Sequence, residues 1–287
     1  MTQKNQHLGL CWGSVEEHGL LALAENASRA GLEFISIAPR QYAELRSQNV
    51  SDAELRARLA DLGIRVCVID PLVAPLPGVP DRADVAADVR WFFEASIEDC
   101  WRAGEAVGAA GINMSPYLGR SVPDDEFRDG IAQIAELNRA HGMTSTLEFV
   151  PTSSIRDLCS AARVTRGIDA LSVMFDTWHF ARSGGTVEQI LALEPDSIGG
   201  VQISDWLPPV EGETYVPMSG RLMPGDGCLP LREILVAIDD NSPGLDVGIE
   251  VFNSAIAKRG RAAVVEMVER SIPLLANRCR SHLADAS

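Results

Sequence analysis

Four segments of this sequence end in side chains that can bind a cation or move a proton. Each places a polar group inside or directly after an apolar run that is typical of a buried strand. A lone carboxylate in such a place is most often a helix cap or a salt-bridge partner, but four in succession favour a shared site. The segments are Leu147-Glu148-Phe149-Val150, Met174-Phe175-Asp176-Thr177-Trp178-His179, Val201-Gln202-Ile203-Ser204-Asp205 and Ile249-Glu250-Val251-Phe252-Asn253.

Three carboxylates in one site carry a charge that burial makes costly. Glu148, Asp176 and Glu250 would each lose several kcal/mol if they were buried, ionised and unpaired. A divalent cation removes this cost, and the amide oxygen of Gln202 adds a fourth hard ligand. Oxygen ligands favour Mn²⁺ or Mg²⁺ over Co²⁺ or Zn²⁺. We therefore predict a divalent metal at these four residues, with Mn²⁺ as the first choice.

Other residues near this set could bind a substrate. His179 follows Asp176 by three residues and is the one histidine of five in the set; the alternative is a packed or capping histidine. Arg221 could bind a substrate oxygen or an anion, or it could be an exposed surface arginine. Trp12 and Trp178 lie near strand ends, where they could wall a sugar-like ligand or belong to the core.

These residues need a scaffold of regularly repeated strands. Eight β-rich runs alternate with helical patterns along almost the whole chain. The runs are His7 to Trp12, Glu33 to Ala38, Arg65 to Ile69, Gly111 to Ser115, Thr144 to Phe149, Ser172 to Phe175, Gly200 to Ile203 and Asp246 to Val251.

The helical segments carry start and stop signals. Ser51 and Glu54 form a capping box, and Gly63 ends that helix. Glycine also precedes other strands, at positions 31, 111 and 142, where it suits a left-handed helix end. Further helices are predicted over Ala83 to Val107, Asp124 to Ala140, Ser154 to Val164, Val187 to Leu193, Leu231 to Ile238 and Ala262 to Ala276.

Eight strand–helix units predict one α/β domain over residues 1–287, a single (β/α)₈ TIM barrel. The alternative is an open doubly wound sheet, but no GxGxxG or P-loop motif follows a strand. In such a barrel the chemistry gathers at the carboxyl ends of the strands. Two proline-rich connections, 70–82 and 205–228, are expected to build the rest of the pocket.

Composition narrows the classes of function. The chain has 287 residues, 46% hydrophobic and 23% charged, with a net charge of −15. This excludes disorder and argues against a nucleic-acid partner. Neither a membrane span nor a signal peptide is evident, so we expect a cytoplasmic protein without a membrane partner. The six cysteines form no CxxC pair and are expected to be mostly buried.

The same residues resemble the sugar phosphate isomerase/epimerase family, the xylose-isomerase-like barrels that include ketose 3-epimerases and inositol-catabolism enzymes. The resemblance covers nearly the whole chain. Its most specific parts are Leu147-Glu148-Phe149, Phe175-Asp176-Thr177-Trp178-His179, Gln202-Ile203-Ser204-Asp205, Pro224-Gly225-Asp226-Gly227 and Gly248-Ile249-Glu250.

The resemblance implies roles for these positions. Glu148 and Glu250 would be metal ligands that also exchange the substrate proton from opposite sides, and Asp176 would be a third ligand. His179 would bind substrate, as would Arg221, which lies where ketose epimerases hold a substrate-contacting arginine. Family members commonly carry histidine where this chain has Gln202, which replaces a nitrogen ligand by oxygen.

Two relatives are argued against by the residues. Endonuclease IV resembles a trinuclear zinc enzyme that needs many histidines and a DNA-binding surface, whereas this chain has five histidines and a charge of −15. Xylose isomerase uses a second metal held by several further carboxylates, and the sequence offers only Asp205 as an evident candidate for them.

The leading hypothesis is a metal-dependent sugar or keto-polyol isomerase or epimerase of carbohydrate metabolism. It would transfer a proton next to a carbonyl through a metal-stabilised enediolate. A metal-dependent lyase or dehydratase is the first alternative, and a non-catalytic binding protein is the second. The expected partner is a small carbohydrate-like substrate, and a homo-oligomer is compatible with the sequence.

Overall fold

Eight parallel strands close into a barrel in chain order, with β8 paired to β1. The structure is a computed structural model that describes residues 7–14, 19–208, 212 and 218–276. It confirms the predicted (β/α)₈ TIM barrel and all eight strands, whose ends differ from the prediction by at most three residues. The strands are β1 Leu8–Leu10, β2 Phe34–Ile37, β3 Arg65–Leu72, β4 Gly111–Met114, β5 Thr144–Glu148, β6 Leu171–Asp176, β7 Ile198–Ile203 and β8 Val247–Ile249.

The helices lie between the strands and cover the barrel. They are α1 Gly19–Arg29, α2 Pro39–Ser47, α3 Asp52–Leu62, α4 Ile97–Val107, α5 Asp124–Ala140, α6 Leu158–Thr165, α7 Thr177–Arg182, α8 Val187–Leu191, α9 Leu231–Asn241, α10 Ser254–Ala257 and α11 Arg261–Ala276.

Helix α3 has the predicted ends. The Ser51 hydroxyl accepts a hydrogen bond from the backbone N–H of Glu54, and Gly63 ends the helix with a φ of 65°. The carboxylate of Glu54 pairs with Arg58 one turn later and not with the backbone N–H of Ser51, so only the serine half of the predicted capping box forms. The ends of α3 can therefore be predicted from the sequence alone, because capping groups act within one turn of the helix.

The predicted helix from Ala83 to Val107 is wrong in its first half. The α-helix begins at Ile97, after two short 3₁₀ turns at Arg82–Asp84 and Arg90–Phe93. Ser96 and Asp99 form a full capping box that starts the helix there. The aromatic residues before this cap pack toward Trp12 and Tyr117, so tertiary contacts decide their conformation.

Two further expectations change. Gly111 is the first residue of β4, and the left-handed residue that ends α4 is Gly108, at a φ of 71°. Burial holds for Cys11 and Cys100, whereas Cys159 and Cys228 are exposed; Cys279 lies outside the described residues.

Within the described part of the chain, none of the helices has the length and apolar character needed to cross a bilayer.

Helices α1 and α2 are absent from the sequence-based prediction. Buried Leu20, Leu23, Ala24 and Ala27 give α1 the i, i+3, i+4, i+7 spacing of an amphipathic helix. Helix α2 begins at Pro39, at the position where a missing N–H costs nothing. The apolar spacing of α1 and the proline that starts α2 can both be read from the sequence, but each helix is only about three turns long.

Candidate metal and catalytic site

The polar strand ends meet at the carboxyl end of the barrel. Glu148 is the last residue of β5, and Asp176 is the last residue of β6 and pairs in register with Gln202 of β7. Glu250 directly follows β8. Parallel register brings these ends to one level, and all four side chains are buried. The predicted set is therefore brought together.

Asp176 also begins helix α7. Its Oδ1 accepts hydrogen bonds from the backbone N–H groups of Trp178 and His179, at 2.6 and 3.1 Å, and its Oδ2 accepts from Arg221 at 2.6 Å. Burial alone would raise the pKa of Asp176, but Arg221, His179 and the cap bonds outweigh it and hold the pKa below the usual value. Asp176 is thus held as a carboxylate.

His179 reaches the same cavity from the first turn of α7. Its Nε2 lies 3.2 Å from Oε1 of Glu148 and 3.8 Å from Oδ2 of Asp176. One ligand atom from each of these residues lies within 4.8 Å of the others, and all three residues are buried. This Glu–Asp–His triad could hold a divalent metal, with one nitrogen donor beside two carboxylates.

Arg221 is not a surface arginine. Its side chain is 2% exposed, and Nη1 donates to both Asp176 Oδ2 and Glu250 Oε2, at 2.6 and 2.9 Å. Nη2 lies 3.4 Å from Nε2 of His179. The guanidinium therefore links two of the predicted ligands.

The amide of Gln202 is held by two acidic side chains. Nε2 donates to Asp70 Oδ2 at 2.7 Å and to Glu250 Oε1 at 3.0 Å. Both oxygens accept in this arrangement, so the NH₂ group faces them. The amide oxygen is buried and has no hydrogen-bond partner among the described residues.

Asp70 is a fourth buried carboxylate that the sequence analysis missed. It accepts hydrogen bonds from Trp12 Nε1, Asn113 Nδ2 and Gln202 Nε2. Burial, followed by the nearby charge of Glu148, raises its pKa to about 7. The signal was present, because Asp70 directly follows the apolar residues Val66 to Ile69 within β3. The sequence analysis had ended the strand at Ile69 and placed Asp70 at the start of a loop.

The pKa of Glu250 is shifted in the opposite direction to that of Asp176. Burial raises its pKa well above the usual value, and the carboxylates of Asp70, Asp176 and Glu148 add to this, while Arg221 opposes them. The carboxylates of the site thus differ in proton affinity because their charged neighbours differ.

The cavity between these groups has a volume of about 40 Å³, room for a few water molecules. Trp12 lies in its wall together with Phe92 and Phe252. Trp178 lies outside that lining, where its ring packs edge-on against Trp206. The structure therefore brings one of the two predicted tryptophans to the cavity.

Asp205 has a structural task. Its carboxylate accepts backbone N–H bonds from Gly225, Gly227 and Leu229, each at 3.0 Å. A Cβ at Gly227 would overlap this carboxylate, so the close approach requires glycine. Asp205 thus anchors the Pro224 to Gly227 turn. Residues 209–211 and 213–217 of the same connection lie outside the described residues.

The donor set fits a divalent cation. The site holds four buried carboxylates, Asp70, Glu148, Asp176 and Glu250, of which Asp176 and Glu250 accept hydrogen bonds from the guanidinium of Arg221. Burying that much negative charge is costly unless protons or a cation offset it. The amide oxygen of Gln202, which lacks a donor among the described residues, is a further hard ligand.

Comparisons with known proteins agree with this architecture. A family model described as xylose isomerase-like TIM barrel matches residues 24–271. No curated protein matches the sequence.

Solved structures resemble the fold at low identity. The IolI protein with a bound zinc atom has a TM-score of 0.79 and 16% identity, over 96% of this chain and 100% of that chain. A D-psicose 3-epimerase in the presence of D-fructose has a TM-score of 0.64 and 17% identity, over 93% and 97%. The probable 3-DHS dehydratase AsbF from Bacillus anthracis has a TM-score of 0.66 and 18% identity, over 95% and 98%.

Proposed function

Because the chain belongs to the xylose isomerase-like TIM-barrel family, we propose that it is a metal-dependent isomerase or epimerase of a small ketose or keto-polyol. The observation that carries the proposal is the meeting of Glu148 and Glu250 in one buried cavity with His179 and Arg221. Acid–base chemistry next to a carbonyl needs two proton-carrying groups at one carbon, and this cavity supplies them.

Glu148, Asp176, Gln202 and Glu250 are the residues that would hold the metal, with His179 as the available nitrogen donor. Mn²⁺ is our first choice, because most of these donors are oxygens. When bound, the metal supplies a Lewis acid that polarises the substrate carbonyl. The buried carboxylates and the amide oxygen of Gln202 support this assignment.

The two glutamates reach the cavity from different sides. They follow β5 and β8, which are three strands apart around the barrel. Asn113 and His179 hold the carboxylate of Glu148, and Gln202 and Arg221 hold that of Glu250. One glutamate removes the proton from the carbon beside the carbonyl, and the other returns a proton to the opposite face.

His179 and Arg221 are the proposed substrate-binding groups, since both offer N–H donors to sugar oxygens within the cavity. Trp12 forms part of the apolar wall. Trp178, the neighbour of His179 in α7, is the second proposed substrate-binding tryptophan, and its ring packs against Trp206 outside the cavity lining.

Solvent exchange tests this proposal. The purified protein, loaded with Mn²⁺, is incubated in deuterated water with a panel of ketoses and keto-polyols, and deuterium at the carbon beside the carbonyl is followed by NMR. Glu148→Gln and Glu250→Gln should each reduce the exchange by about 10²-fold or more. Glu126→Gln, at an exposed position of α5, is the matched control. Exchange that persists in both site variants would refute the assignment.

A dehydratase or lyase is the second candidate. His179 contacts Glu148 and lies beside Arg221, so an imidazole stands next to the base, where it could serve a leaving hydroxyl. In that reaction proton removal is followed by loss of water instead of reprotonation. Mass spectrometry of the product separates the two, because an isomerase leaves the substrate mass unchanged.

A further inference from the structure

A second and larger pocket opens on the same face of the barrel. This rim pocket lies between the start of α2, Pro71 of β3 and the segment from Trp91 to Arg102. Its volume is about 420 Å³. Pro71 and Phe92 line both the rim pocket and the cavity that holds Glu148 and Glu250. The two spaces are therefore neighbours that share part of one wall.

The volumes suggest how a substrate is divided between the two spaces. Pockets for small molecules enclose about 300–1,000 Å³. The site cavity, at about 40 Å³, takes only the reacting atoms, whereas the rim pocket can take the bulk of a ligand. A substrate that reacts at Glu148 and Glu250 thus has room for a body beyond Phe92.

The walls of the rim pocket indicate the character of that body. Pro39, Pro71 and Phe92 form apolar surface, and the ring of Trp91 lies beside them. The guanidinium carbon of Arg40 lies 3.6 Å from the Trp91 ring centroid, which is a stacked cation–π arrangement. Flat apolar walls and a stacked guanidinium suit a planar or apolar group.

The charged residues that line the rim pocket favour an anionic ligand. Three arginines, Arg40, Arg46 and Arg102, line the pocket with two carboxylates, Glu94 and Asp99, which leaves one positive charge in excess. This excess stands out in a chain with a net charge of −15. The pairs of Arg46 with Asp52 and of Arg102 with Asp99 are long, at 3.4 and 3.3 Å, and exposed. Such pairs are weak. Arg102 can therefore turn to an incoming anion, whereas Arg46 also donates to the carbonyl oxygen of Val50.

We propose that the rim pocket binds the non-reacting end of the substrate, and that this end is a planar or apolar group that carries a carboxylate or a phosphate. The inference rests on the proposed function for the identity of the reacting end. The rim pocket itself does not depend on it, because its lining contains none of the proposed catalytic or metal-binding residues.

Probe binding tests the pocket without any turnover. Isothermal titration calorimetry of the full chain uses benzoate and phenyl phosphate as the anionic probes. Benzyl alcohol supplies the body without charge, and inorganic phosphate supplies charge without a body. We expect one or both anionic probes to bind at least about tenfold more tightly than either partial probe. Which of the two binds better distinguishes a carboxylate from a phosphate.

Variants place the binding in the pocket. Arg40→Met keeps an unbranched side chain against Trp91 and removes the charge, and should weaken the preferred probe at least about tenfold. Ala43→Phe, at an exposed lining position on α2, should block the pocket. Arg163→Met, at an exposed pair with Asp124, is the matched control. Unchanged binding in both pocket variants, or no binding of either anionic probe to the parent protein, overturns the proposal.

The same series separates this inference from the proposed function. Probe binding should persist in the combined variant with Glu148→Gln and Glu250→Gln. Probe binding without solvent exchange on any ketose would refute the proposed function, while the rim-pocket proposal would stand. Solvent exchange on neutral ketoses without probe binding would refute the rim-pocket proposal and support the proposed function. If both hold, Arg40→Met should raise KM for carboxylated or phosphorylated ketoses with a smaller effect on kcat, and should raise KM for neutral ketoses by a smaller factor.

Discussion

At the scale of single residues, the most consequential contact is the bridge from Arg221 to Asp176 and Glu250. Both carboxylate oxygens that face the guanidinium belong to proposed metal ligands. The other oxygen of Asp176 caps α7, and that of Glu250 accepts from Gln202. A metal at these ligands therefore competes with the guanidinium for the same two oxygens.

Replacing Arg221 should strengthen metal binding. In Arg221→Met the competing cation is absent and the buried carboxylates are unpaired without metal, so we expect the Kd for Mn²⁺ to fall at least about tenfold. The metal-free variant should unfold more easily, by about 3–5 kcal/mol. Titration calorimetry and urea denaturation measure the two effects, with Arg163→Met as control. A weaker Mn²⁺ affinity in Arg221→Met would contradict this.

Asp70 should make stability depend on pH. Its pKa rises from 3.8 in the unfolded chain to about 7 in the folded protein, so the folded state holds the proton more tightly. The stabilisation from that proton is complete below pH 4 and disappears as the pH rises toward 7. Asp70→Asn lacks this proton, so its stability relative to the parent should increase between pH 4 and 8.

The measurement is urea denaturation in the presence of a chelator at several pH values. The difference between Asp70→Asn and the parent protein reports the proton of Asp70 together with the effect of its charge on Glu250, whose pKa it helps to raise. A difference that is constant from pH 4 to 8 would show that Asp70 titrates normally. Asp70 accepts hydrogen bonds from Trp12, Asn113 and Gln202, which the substitution alters at every pH. The pH dependence of the stability difference, and not its absolute size, therefore tests the prediction.

At the scale of elements, the turn after β7 determines where Arg221 stands. The backbone of Asp205 pairs with Leu222, and its carboxylate binds three backbone N–H groups between Gly225 and Leu229. The segment that carries Arg221 is therefore attached to the end of a barrel strand. A side chain at position 227 would overlap the Asp205 carboxylate, so this attachment also requires glycine there.

Gly227→Ala should disturb this attachment. The added methyl group overlaps the Asp205 carboxylate and the carbonyl oxygen of Trp206, so we expect a loss of about 1–3 kcal/mol in the free energy of unfolding. Asp226→Ala, in the same turn and exposed, is the control and should cost less than about 0.5 kcal/mol. Denaturation midpoints compare the two. Equal midpoints would indicate that the turn adjusts without strain.

At the scale of the whole molecule, a metal that joins β5, β6, β7 and β8 should stabilise the barrel against unfolding. A ligand at 100 times its Kd adds about 2.7 kcal/mol, which corresponds to roughly 5–10 °C in Tm for a chain of this size. We expect this shift with Mn²⁺ and its reversal by a chelator. Elemental analysis after dialysis should find about one metal per chain.

The control is a chain that carries Asp176→Asn and Glu250→Gln together. It should retain no metal after dialysis and should show no shift in Tm. If the parent protein also takes up none of Mn²⁺, Mg²⁺, Co²⁺ or Zn²⁺, the non-catalytic binding protein becomes the favoured alternative. In that case Glu148 and Glu250 would not be needed together for ligand binding.

The sequence by itself determined the strands, the barrel and the main polar strand ends. Those features depend on local periodicity and on where an apolar run stops, which are both written in neighbouring residues. Glu148, Asp176, Gln202 and Glu250 were therefore identifiable before any coordinates, and the structure brings them together. The helix proposed over Ala83 to Val107 failed in its first half because tertiary packing of aromatic residues overrides a local pattern.

Only the tertiary structure decided which partners each polar group meets. Arg221 and Asp70 lie far from their partners along the chain, and no local pattern states that a guanidinium bridges Asp176 and Glu250 or that Asp70 orients Gln202. The rim pocket is likewise formed by segments around Arg40, Pro71 and Trp91. Contacts of this kind depend on barrel closure and register, which place distant strand ends side by side.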